Sequence, residues 1–184
     1  RHDKKENIMK NYLFVGSFLS NKTGSKSVSE KLKKDLHKEL INIILVSKIK
    51  NKILRLSEII IGVLFYSYEK IHIDTFSGPA FRIAEIAIFF GKFRNKKIII
   101  TLHGGALPDF FKNGNQKRIK KIFKKADIVM SPSLYLQDFF KKNDLNVVYL
   151  PNSINIKSFP FDRGKIIPFS LLWVRAFTEI YNPE

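Results

Sequence analysis

His103 closes the apolar run Ile98-Ile99-Ile100-Thr101-Leu102 and is followed at once by Gly104 and Gly105. An imidazole can donate or accept a hydrogen bond near neutral pH, and adjacent glycines let a ligand come close to the backbone. Polar or small residues also follow the other apolar runs. They are Gly16-Ser17 leading to Gly24-Ser25, Asp74 with Ser77-Gly78, Ser131-Pro132-Ser133, and Pro151-Asn152. A carboxylate at position 74 can orient a hydroxyl, and it can equally cap the helix that follows. Gly and Ser in such loops leave helix N-terminal amides open to negative charge. His72 lies inside an apolar run and His37 inside a helical pattern, so both read as structural or exposed.

Composition narrows the chemistry. The 184 residues contain no cysteine, which excludes disulfides and thiolate metal sites. There is no Asp-x-Asp and no cluster of histidines with carboxylates, so no metal cofactor is predicted. Lys plus Arg number 33 against 16 acids, a net charge of +17. That excess suits a polyanionic partner: nucleic acid, an anionic membrane face or a phosphorylated substrate. A plain bias of composition towards lysine explains the same number. A basic nucleic-acid-binding α/β module is the rival class. Against it, no recognition motif is present, and the aromatic residues sit in apolar runs rather than among the basic ones. A dinucleotide-binding enzyme is disfavoured because no G-x-G-x-x-G follows the first strand.

The elements that must position these residues alternate in type. Strands are predicted over 11–18, 41–49, 70–76, 96–104, 127–133 and 146–152. Between them, helices are predicted over 27–40, 53–68, 78–93, 116–126 and 134–143. Ser27-Val28-Ser29-Glu30 fits a capping box at the first helix. Repeated β-α units predict an α/β fold: a Rossmann-like parallel sheet with helices on both faces. Ligands in such folds sit outside the carboxyl ends of the strands, where the loops named above converge. No apolar run approaches the ~20 residues that a membrane span requires.

Four segments emerge: an N-terminal extension over 1–10, a Rossmann-like domain over 11–155, a linker over 156–169 and a final stretch over 170–184. Two prolines and a glycine mark the linker. "SLLWVRAF" (170–177) reads as the first strand of a second domain, of which the sequence contains only the start.

In "TLHGGALPDFF", "KKADIVMSPSLYLQDFF", "VVYLPNSINIKSF" and "LLWVRAFTEIYNPE", the chain resembles the acceptor-side half of GT-B glycosyltransferases. The resemblance is to the large retaining family 4, and with "FVGSFLSNKTGSKS" it covers roughly residues 11–184. It implies one of two Rossmann-like domains facing each other across a cleft. The implied activity is hexosyl transfer, with retention, from a nucleotide-sugar to a glycan or lipid-linked acceptor in surface polysaccharide synthesis. The nucleotide-sugar is a substrate, and no other cofactor is implied. On this resemblance Gly24 and Ser25 lie near the donor diphosphate and the acceptor, and His103 is the catalytic-site residue that reaches the transferred sugar. Asp74, Ser77, Gly104, Gly105 and Ser131 line the donor and acceptor sites. Arg175 matches a basic residue that neutralises the leaving diphosphate. Relatives usually carry a lysine soon after it, where this chain reads Ala-Phe-Thr-Glu-Ile-Tyr-Asn. A cytoplasmic enzyme, peripheral on the inner face of the membrane, is the implied location.

The membrane expectation rests on Lys112–Lys125, which holds Lys112, Lys117, Arg118, Lys120, Lys121, Lys124 and Lys125 with no acid. Ile119, Ile122 and Phe123 recur at helical spacing, giving a basic amphipathic helix. It either lies against anionic lipid or packs its apolar side on the sheet.

Overall fold

The computed structural model describes residues 10–18, 28–37, 41–153, 164, 168–171 and 173. The chain divides into two compact units, 1–152 and 153–184. In the first, the described residues form an α/β fold with a six-stranded, all-parallel sheet in the order β2-β1-β3-β4-β5-β6. The strands are β1 (Lys10–Val15), β2 (Ile41–Val46), β3 (Lys70–Thr75), β4 (Lys97–Leu102), β5 (Ile128–Ser131) and β6 (Val148–Tyr149). The helices are α1 (Val28–His37), α2 (Lys52–Phe65), α3 (Phe81–Phe93), α4 (Leu107–Phe110), α5 (Gln116–Lys125) and α6 (Leu134–Lys141). No helix among the described residues is long and apolar enough to cross a membrane.

Side chains alternate across the sheet. Leu13, Val15, Ile71, Ile73, Ile98, Ile100 and Leu102 enter the main core, where Ile59 and Val63 of α2, Phe81 and Ile88 of α3, Ile119 of α5 and Phe140 of α6 cover them. The opposite face carries Phe14 and Ile43, packed beneath Leu32 and Leu36 of α1. The path from β1 to β2 runs one way along the sheet and the path from β2 to β3 runs back past β1. Right-handed crossovers therefore put α1 and α2 on opposite faces. Towards β5 and β6, α1's face carries Ile128 and Val148 at 44% and 49% exposure.

Several boundaries differ from the sequence expectation for identifiable reasons. β2 stops at Val46, three residues early, because Ser47 adopts a left-handed φ of 86°. The amides of Lys48 and Ile49 then donate to the Glu58 carboxylate at 2.9 and 3.3 Å. α2 ends at Phe65, and Tyr68 turns into the core, its hydroxyl donating to the Val63 carbonyl at 2.8 Å. β6 shrinks to two residues; Leu150 still donates to the Ser131 carbonyl, but Pro151 has no amide to continue the ladder. α4 falls where no helix was expected, and Phe111–Asn115 after it is a kink, with Asn113 (φ −81°, ψ 49°) and Gly114 (φ 83°) outside helical geometry. In the Lys112–Lys125 segment, Ile119, Ile122 and Phe123 are buried, so the apolar side of α5 packs inward. Ser27, most of the linker expected over 156–169 and most of the strand expected over 170–177 lie outside the described residues.

Candidate functional site

The strand order reverses between β1 and β3, and the crevice at that switch point is where open α/β sheets receive ligands. Gly16 follows β1 there, and Asp74 is the penultimate residue of β3. His72 and Asp74 are two apart and share a face of the sheet, the period-2 rule of a strand. Asp74 pairs in register with Thr101 of β4 and His72 with Ile99, so Thr101 and His103 project on the same side.

These residues meet at one carboxylate. His103 Nε2 lies 3.1 Å from Asp74 Oδ1, and the Ser29 hydroxyl donates to Asp74 Oδ2 at 3.0 Å. His72 Nε2 lies 3.6 Å from the same Oδ1, too long for a hydrogen bond but close for a charge, and 2.8 Å from Thr101 Oγ1. The result is a chain Thr101–His72–Asp74–His103 running along the strand ends. Phe76 stacks on His103 with ring centroids 5.2 Å apart, and Phe14 lies 4.4 Å from the His72 ring. The amide of His103 donates to the Thr75 carbonyl at 2.9 Å, extending the β3–β4 ladder to the histidine.

Burial alone raises the Asp74 carboxyl. Hydrogen bonding from His103, contact with His72 and the charge of both rings outweigh it and hold Asp74 well below the usual carboxylate range. An ionised carboxylate only accepts, so the bond assigns a proton to His103 Nε2. In the neutral ring, Nδ1 is then the acceptor, available for a hydroxyl.

The other expected residues divide. Gly104 (φ 87°) and Gly105 are exposed beside His103, with open space where a side chain would be. Ser77 precedes the turn Gly78–Ala80 without a side-chain capping bond. Ser131 ends β5 on the same edge, but its hydroxyl is buried and accepts from the Ser133 amide at 3.1 Å. Its role is to shape the turn at which Ser133 caps α6. Gly24, Ser25 and Arg175 lie outside the described residues.

Sequence reasoning named Gly16 among the strand-end residues and read His72 as structural or exposed, but missed Ser29, Thr101 and Phe76. The i, i+2 pairs 72/74 and 101/103 at two strand ends were the available signal. Among the described residues no group of three or more His, Cys, Asp or Glu side chains is placed to hold a metal ion. Compared with known proteins, the chain matches no family model and no curated protein.

Proposed function

We propose that the chain is the acceptor-side domain of a GT-B-type retaining glycosyltransferase, a cytoplasmic enzyme that moves a hexose from a nucleotide-sugar to a glycan or lipid-linked acceptor. The observation that carries this reading is the meeting of Asp74 and His103 at the strand-end edge of the switch point. In the transfer, the bond between the anomeric carbon and the diphosphate oxygen breaks and one to the acceptor oxygen forms. The acceptor proton leaves with the diphosphate. His103, held through Nε2, offers Nδ1 to a sugar hydroxyl, and Gly104 and Gly105 let the ring approach. Helix amides and basic side chains, Arg175 among them, neutralise the departing diphosphate, so no metal is invoked.

The test uses the protein encoded by the complete reading frame containing this chain. Incubated with a panel of uridine and guanosine diphosphate sugars and lipid-linked acceptors, it should release the nucleoside diphosphate only when donor and acceptor are both present. NMR of the product should show the donor's anomeric configuration kept. A protein that binds no nucleotide-sugar in a saturation-transfer experiment overturns the reading.

A further inference from the structure

The helices α2, α3 and α5 form one layer on the face of the sheet away from α1, α2 beside α3 and α3 beside α5. Their inward stripes fill the core. Their outward stripes should be polar if water is all they meet. On α5 they are: Lys117, Lys120, Lys121 and Lys124 are exposed. On α2 and α3 they are not. Leu54, Ile61 and Phe65 recur along the outer side of α2, with Phe65 at 76% exposure. Phe89 and Phe93 continue the pattern on α3, at 58% and 76%. A groove lined by Glu85, Ile86, Phe89, Phe90, Lys121 and Lys125 joins the apolar rows to the basic one.

Charge identifies the occupant. Glu85, the acid in this groove, is taken by Arg118 at 2.7 Å, and Asp127 by Lys92 at 3.2 Å. Among the described residues, the four α5 lysines have no carboxylate within 4.0 Å. Apolar rows bordered by cations need a partner that offers an apolar phase beneath an anionic layer. A bilayer containing anionic phospholipid has that arrangement over an unlimited plane. We propose that this flank docks on an anionic membrane, with Phe65, Phe89 and Phe93 entering the boundary between headgroups and acyl chains and the α5 lysines resting on phosphates. The buried side of α5 takes no part in lipid contact. The proposal does not depend on the transferase reading.

Co-sedimentation of the full chain with vesicles tests it, using phosphatidylcholine alone and phosphatidylcholine mixed with phosphatidylglycerol. Binding should require the anionic lipid and weaken as salt rises from about 0.05 M to about 0.5 M. Lys117, Lys120, Lys121 and Lys124→Gln together should abolish the lipid preference. Phe65, Phe89 and Phe93→Ser together should weaken binding about tenfold or more at unchanged charge. These side chains are exposed, so circular dichroism should show the fold kept. If the triple variant does not fold, Phe93→Ser alone and the salt titration of the unaltered chain decide. Equal binding to both vesicles, or binding indifferent to the phenylalanines, overturns the proposal. So does an oligonucleotide complex sensitive to the lysines only, or a dimer that the serine variant dissociates, when either occurs without vesicle binding.

Discussion

A Cβ placed on Gly16 stands 2.5 Å from Oδ2 of Asp74 and 2.8 Å from the ring of Phe18. Glycine ends β1 because the neighbouring strand's carboxylate occupies the space of a side chain. Gly16→Ala should therefore destabilise the fold by about 1–3 kcal/mol, the usual range for forcing a methyl into a filled site. Urea denaturation measures it. Combined with Asp74→Ala, the cost should be clearly less than the sum of the two single changes.

Asp74 should also leave a mark on acid unfolding. Its folded-state pKa lies below the unfolded value of about 4. The ionised carboxylate therefore stabilises the fold above that value, and the contribution fades as pH falls through the folded pKa. Urea midpoints of the native chain and of Asp74→Asn should differ most near pH 6 and converge towards pH 2. A gap independent of pH would mean that the carboxylate's charge contributes nothing.

On the transferase reading proposed above, His103→Ala should lower turnover by ~10²–10³, the cost typical of one lost transition-state hydrogen bond. Acceptor binding should remain. His72→Ala, one step further along the chain of contacts, should act mainly on stability through its packing on Phe14 and its bond with Thr101. Near-normal turnover in His103→Ala would reduce the histidine to a turn residue.

Away from the site, Asn51 caps α2, its side-chain oxygen accepting from the amides of Ile53 and Leu54 at 2.9 and 3.2 Å. Asn51→Ala should cost about 1 kcal/mol in thermal or urea unfolding, and Asn51→Asp should restore most of it. On the transferase reading, turnover should be unaffected.

The alternation of Ile71, Ile73 and Thr75 with His72 and Asp74 was legible in the sequence, as was the β-α rhythm that implies a parallel sheet. Which strands lie side by side was not. Period-2 patterning states which face a residue takes but not what stands opposite, so the register joining Asp74 to Thr101 and His103 had to come from three dimensions. Ser29 reaches Asp74 across 45 residues of sequence, a contact that no local pattern encodes. α4 spans only four residues, too few for a helical period to show in the sequence, and Pro108 sits in its first turn.

Among the described residues β1 is the first strand, and it pairs with both β2 and β3. During synthesis it emerges before both of these neighbours and waits for them on two sides. β2 then attaches to one flank, while β3, β4, β5 and β6 add to the other in the order they are made. Each arrival finds an edge already laid down, so the sheet can grow outward as the ribosome delivers it. Loss of material follows the same geometry. Trimming from the β6 end peels one rim strand at a time, while removing β1 splits the sheet along its seam and parts the carboxylate of Asp74 from the glycine that makes room for it.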